Sequence, residues 1–382
     1  MVGEAKGEKI WNDGEKSVIK AGIMAVVMEN QKHPEYQNLV NVYNFLSEMC
    51  MEQPDKTMLM DTFLEGLPKN HPAVSAFAPA RIAPSKTRAS FFTSALNTLN
   101  IFTDSYIASM ISSTDISAEE LGSNRIILYC ILPDEKVTMY GLCSLFVNQI
   151  YMGLVECADA RGGQLKNRVN FILDEFGNFS QIPNFGGFLT VGGGRKIRFN
   201  LFLQSFAQLN EKYGDNTAQN ILDNCYVWNY LKTSNDVTAE KISKKIGNYT
   251  TTNFSESNSS NGGSSNISTS SSMNLSARPL LTSDEILRIN RPYLLVMCSG
   301  KQPAMTQAPD LSKWYFNQML GMGDEEFNRK LREEREKERI EKPVQEVKLW
   351  DIADVTKEVK KILEEEKRAE LERQRAERFR HI

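Results

Sequence analysis

A chain of 382 residues has room for about two domains. Its 41% hydrophobic and 24% charged residues suit a soluble globular protein, and a formal net charge of −3 argues against one that coats nucleic acid over its whole surface, while leaving room for a local basic face. No apolar run approaches the roughly 18 residues of a membrane span, and the polar start "MVGEAKGEKIWNDGEK" is not a secretory signal. Three scattered histidines (His33, His71, His381) argue against a His-based metal site or a Ser-His-Asp triad. Six cysteines without C-x-x-C spacing suit a reducing cytosol.

Residues 1 to about 115 read as helical. "EKSVIKAGIMAVVMEN" and "EYQNLVNVYNFLSEMCMEQ" place apolar residues at helical spacing, and "HPEY" breaks them with Pro34 at a helix start. "APARIAPSKTRASFFTSALNTLNIF" is a Pro-bearing loop entering another helix. From residue 116 the pattern changes to short apolar runs alternating with helices. The runs are "RIILYCILPD", "VNFILDE", "RFNLFLQS", "CYVWNYLKT" and "RPYLLVMCSG", with helices over 138–158, "AQLNEKYG", "TAQNILDNC" and "VTAEKISKKIG" between them. Strands buried on both faces and alternating with helices imply a parallel sheet in an α/β domain, here over residues 116–325. The Ser/Asn/Gly-rich stretch 253–277 reads as a disordered insertion, too poor in apolar residues to repay ordering. Residues 326–382 mix both charge signs at i,i+4 spacing and read as a charged helical tail, either solvated or docking a partner.

A parallel sheet gathers its ligand site at the carboxyl ends of its strands. There "VNFIL" runs into Asp174 and Glu175. An apolar strand followed by Asp-Glu is the Walker B pattern, in which Asp holds Mg²⁺ and Glu orients the attacking water; an exposed turn after a core strand reads the same way. Gln204 ends "RFNLFLQ", where an amide can contact a γ-phosphate or a water, or simply start the next helix. Arg195 follows three glycines in "GGGRKIR". Its fixed charge can stabilise a transferring phosphoryl group in cis or from a neighbouring subunit, or it is a plain surface arginine; Lys196 and Arg198 are rivals for the role. No G-x-x-x-x-G-K-[ST] loop occurs, "APSKT" (83–87) lacks the glycines of a phosphate cradle, and "DEFG" is not the kinase D-F-G.

In order, "WNDGEKSVIKAGIMAVVMEN", "APSKTRASFF", "LYCILPDEKVTMYGLCSLFVNQIY", "NFILDEFGNF", "GGGRKIRFNLFLQSFAQLNEKYG", "ILDNC", "TAEKISKKIG" and "RPLLTSDEI…RPYLLV" resemble the TraG/TraD family of type IV secretion coupling proteins over about residues 1–325. The resemblance implies a RecA-like P-loop NTPase core with an all-helical domain (1–115) facing the cytoplasm. It implies a ring ATPase, a homo-hexamer at the cytoplasmic face of the membrane, that uses ATP and Mg²⁺. Its implied partners are the relaxase and other relaxosome proteins, single-stranded DNA and subunits of the secretion channel. It further implies Asp174 and Glu175 as the Walker B pair with Asp174 on the metal, Gln204 as γ-phosphate sensor, and Arg195 as the inter-subunit arginine finger. The family's Walker A and transmembrane helices precede the stretch matching Met1, so the chain reads as a split, truncated or fragmentary motor, not expected to hydrolyse ATP alone. Two rival readings are a DNA pump of the FtsK/HerA kind, which lacks the helical domain, and a non-enzymatic adaptor descended from such a motor.

Overall fold

The computed structural model describes all residues except 1–8, 52–57, 134–136, 261–266, 309, 322–323, 339–345 and 381–382. The chain divides into two compact units, one of residues 116–339 and one of Val2–Asp115 with Ile340–Ile382.

The helical unit follows from helical periodicity. α1 (Lys9–Glu29) buries Val18, Ala21, Ala25 and Val26, spaced at three, seven and eight, on one face. After the turn Pro34–Tyr36 come α2 (Leu39–Met49), α3 (Leu59–Gly66), α4 (Pro72–Arg81), α5 (Ser85–Leu99) and α6 (Ser105–Ile111). α5 starts at Ser85, so "APSKT" is a helix entry. Glycines on α1 allow close approach: a Cβ on Gly14 would lie 2.4 Å from the Phe91 ring. The buried Glu15 carboxylate accepts from the hydroxyls of Ser94 and Thr98, which satisfies a charge held away from water.

The charged C-terminal stretch is not uniformly solvated. Helix Glu325–Glu338 matches the solvated reading, with Lys330–Glu326 at 2.9 Å and Arg329–Glu333 at 3.8 Å. Residues 348–359 instead pack onto the helical unit. Asn38 and Asn41 donate to the Lys348 carbonyl (3.2 and 3.0 Å), and the Trp350 N–H donates to Asn41 Oδ1 (3.0 Å). Helix Ile352–Arg380 then buries Ile352, Thr356 and Val359, one per turn. Its charge pattern hides this stripe, which three residues carry among those described.

In the other unit α7 (Ala118–Ser123) and α8 (Val137–Asp159) precede β1 (Val169–Leu173), which pairs in parallel with β2 (Ile197–Leu201), Val169 opposite Ile197 and Leu173 opposite Leu201. α9 (Phe185–Gly192) connects them. Their core is aromatic, with Phe176, Phe179, Phe185 and Phe188 buried and Tyr151 stacked on Phe188 at 3.8 Å. α8 is the one described helix long and apolar enough to cross a membrane, but Tyr140, Cys143, Val147, Ile150, Tyr151, Leu154 and Ala158 face this core. α10 (Ala207–Asp223) breaks at Gly214 (φ 70°), where the two short helical patterns of the sequence meet.

Three expectations are corrected. "RIILYCIL" is not a strand: residues 125–133 carry no regular structure and leave Ile127, Tyr129 and Ile131 exposed, because no described strand pairs with them. The fourth and fifth apolar runs, β3 (Val227–Tyr230) and β6 (Tyr293–Cys298, below), are strands but pair antiparallel, Val227 opposite Cys298. An apolar run records burial and not direction. Between them α11 (Asp236–Ile246) packs over a second core of Tyr230, Ile242, Ile246, Ile286, Leu295 and Met297. The segment expected to be disordered, 253–277, lies in an antiparallel ribbon of β4 (Asn248–Ser260) and β5 (Ile267–Pro279), with residues 261–266 outside the described set. Backbone pairing needs no apolar side chains, and Ser255 and Ser272 add a cross-strand bond at 2.6 Å. β6 also pairs with β7 (Ala304–Gln307).

Candidate functional site at the carboxyl ends of β1 and β2

Parallel pairing places the ends of β1 and β2 side by side. The ladder continues past the strands: Phe202 N–H donates to the Leu173 carbonyl (3.1 Å) and Phe176 N–H to the Phe202 carbonyl (2.9 Å). Asp174 and Glu175 therefore face the segment 202–204. Asp174, Glu175, Gly177, Asn178, Phe202, Leu203, Gln204 and Gln208 line one cavity of about 190 Å³. That is smaller than the roughly 300 Å³ of a typical small-molecule site.

Glu175 stands in a left-handed conformation (φ 48°, ψ 40°). A non-glycine residue there costs about 1 kcal/mol and marks a turn imposed by its surroundings. Its N–H donates to Asp174 Oδ1 (3.1 Å), and the turn Phe176–Asn178 closes with Asn178 N–H on the Glu175 carbonyl (2.7 Å). The Asn178 amide donates to Glu175 Oε2 (2.9 Å). Phe176 and Phe179, buried on either side of this turn, anchor it to the aromatic core.

Gln204 also sits in the cavity wall. Its N–H donates to Gln208 Oε1 (3.2 Å), and its carbonyl accepts from the Thr233 hydroxyl (3.4 Å). The Gln208 amide lies against Gly177, where any Cβ would come within 2.3 Å of Oε1. Sequence reasoning singled out neither Gln208 nor Asn178. The available signals were the i,i+4 spacing of Gln204 and Gln208, and a side-chain amide three residues after Glu175.

Arg195 is not among these residues. It precedes β2 at the opposite end of the sheet, roughly 16 Å away at about 3.3 Å per strand residue. There Nη2 donates to Asp159 (3.3 Å), and the buried Nε has no partner. Lys196 (φ 66°) and Arg198 lie at the same end. A cis role on this cavity is therefore excluded for Arg195 by distance.

No group of three or more metal-ligating side chains occurs among the described residues. Two carboxylates still fit Mg²⁺, which is bound through one or two carboxylates with water and substrate phosphate completing its shell. Asp174 and Glu175 offer hard oxygen ligands of that kind.

The profile of the Type IV secretory system Conjugative DNA transfer family matches residues 2–342. Protein VirD4 of Agrobacterium fabrum is 26% identical over 223 residues, 58% of this chain and 32% of VirD4. Conjugal transfer protein TraG of Rhizobium radiobacter is 27% identical over 198 residues, 51% of this chain and 30% of TraG. The matched stretch thus spans about a third of the length of these curated relatives. The solved structure of plasmid coupling protein TrwB in complex with ADP and Mg²⁺ superposes with a TM-score of 0.56 at 14% identity, covering 80% of this chain and 65% of that one.

Proposed function

The chain belongs to the Type IV secretory system Conjugative DNA transfer family, and on that premise we propose that it is the cytoplasmic, RecA-like part of a conjugative coupling ATPase. In this reading it works at the cytoplasmic face of the membrane in a homo-hexameric ring. The helical unit receives the relaxase and other relaxosome proteins, and the ring drives single-stranded DNA into the secretion channel. Residues 1–115 form the all-helical domain, 116–325 the motor part and 326–382 a tail whose second half serves the helical domain.

The observation that carries the reading is the convergence of Asp174, Glu175 and Gln204 on one cavity at parallel strand ends. ATP would supply the transferred phosphoryl group, and a bound Mg²⁺ would supply positive charge to offset the charge that develops on it. Asp174 would hold the metal, Glu175 would orient the attacking water, and Gln204 would contact the γ-phosphate. Arg195, at the far end of the sheet, fits a role across a subunit boundary. The phosphate cradle would come from a polypeptide carrying a G-x-x-x-x-G-K-[ST] loop.

The test is titration calorimetry with Mg-ATP. Weak binding to this chain alone, strengthened on co-assembly with such a polypeptide, supports the proposal. Tight binding by this chain alone would mean a phosphate site elsewhere in it. On the assembled protein, Glu175→Gln should lower phosphate release on the order of a hundredfold while nucleotide still binds. Full hydrolysis by that variant would remove Glu175 from the mechanism.

A further inference from the structure

We infer that Asn178 is a positioning residue that fixes the direction of the Glu175 carboxylate. The inference rests on the reading of Glu175 proposed above and adds a residue to it. Asn178 Nδ2 donates to Glu175 Oε2 at 2.9 Å, while Oε1 has no protein partner among the described residues. A carboxylate held by one oxygen keeps the other to accept a hydrogen bond from the water it orients.

The backbone that carries this amide is itself fixed. Asn178 ends the one-turn helix Phe176–Asn178, closed by its own N–H on the Glu175 carbonyl at 2.7 Å. It sits between Phe176 and Phe179, which are 1% and 4% exposed. The backbone beneath the amide therefore cannot drift, although the side chain reaches solvent.

The residue type matters as much as the place. An exposed glutamate has three side-chain torsions and wanders among rotamers. An amide donor removes that freedom without placing a charge beside the carboxylate. Aspartate at 178 would repel it, and lysine or arginine would neutralise it. Orientation decides the rate when one water must be aligned with a phosphoryl group, because misplacement by about 1 Å can cost a hundredfold.

Two measurements test the inference. The first uses this chain alone, labelled with ¹⁵N-asparagine, with the Asn178 side-chain amide signals assigned by their loss in Asn178→Ser. Those signals should shift in Glu175→Ala; unmoved signals mean that the contact is absent and overturn the inference. The second is phosphate release by the assembled protein. Asn178→Ala should lower kcat about 10–100-fold, as loss of an orienting partner commonly does, with KM for Mg-ATP unchanged. The double variant Asn178→Ala/Glu175→Gln should be no slower than Glu175→Gln alone, since Asn178 acts only through that carboxylate. Multiplying defects, or a raised KM with normal kcat, would overturn it. So would a full rate in Asn178→Ala when Glu175→Gln is slow, and that result leaves the proposed function standing. A full rate in Glu175→Gln, or an assembly without any hydrolysis, removes the function and this inference together.

Discussion

Trp350 stacks on Phe45, with ring centroids 5.8 Å apart and 16° between their planes. Phe45 is fully buried and lies edge-to-face on Phe63 at 5.1 Å, so a residue more than 300 positions away covers the middle of the helical unit. Trp350→Ala should destabilise that unit by about 1–3 kcal/mol, because the indole is half-buried and its stacking adds to area burial. Hydrogen exchange should report it as faster exchange in α2 and α3, with the amides of β1 and β2 unchanged. Equal change in both units would refute the assignment of Trp350 to the helical one.

Gly177 and Gln208 make a second tight pair. Gly177→Ala should push the Gln208 amide off the Gln204 N–H and cost about 1 kcal/mol, the worth of one hydrogen bond. Gln208 is a flexible side chain, so the steric part should vanish in a Gln208→Ala background. Thermal denaturation of the four proteins checks this. Additive losses would mean that Gly177 matters for another reason.

Arg195 should count only between subunits. Arg195→Ala and Glu175→Gln subunits, each inactive alone, should recover part of the phosphate release when mixed, since some shared interfaces then hold one intact partner of each kind. Arg195→Lys should not substitute, because an ammonium lacks the planar fork of a guanidinium. Full activity in Arg195→Ala beside a dead Arg198→Ala would move the role to Arg198.

Cys130 should be the most reactive thiol at neutral pH. It is exposed, and its hydrogen bond with Cys143, 4.0 Å away, brings its pKa down to about 7, while Cys143 is pushed up by the same contact and by burial. The Cys130 thiolate fraction then rises steeply between about pH 6 and 8. Iodoacetamide labelling read by peptide mass should follow that rise at Cys130. In Cys143→Ala the rise should move toward the pH of an ordinary thiol. Labelling that starts at Cys50, whose burial raises its pKa to about 12, would contradict the arrangement.

The stretches 169–173 and 197–201 were legible as strands because each is short, mostly apolar despite Asn170, Arg198 and Asn200, and bounded by turn residues. The carboxylates and the amide at their ends were legible as residues that the core would not accept. The face of α1 and the break at Gly214 were equally plain, since helical period and a glycine are local signals. Pairing is a different matter. Whether "RIILYCIL" finds a strand beside it, whether β3 and β6 run parallel, and whether a serine-rich ribbon closes on itself depend on hydrogen-bond partners tens of residues away. The return of Trp350 to Phe45 is accompanied by burial of Ile352, Thr356 and Val359, which among the described residues of that charged helix are too few to disturb its periodicity. The register of β1 on β2 brought Asn178 and Gln208 into the cavity and left Arg195 at the other end of the sheet. Side-chain spacing along a chain records which residues leave water, whereas the energy that selects neighbours is shared between segments and exists only once they meet.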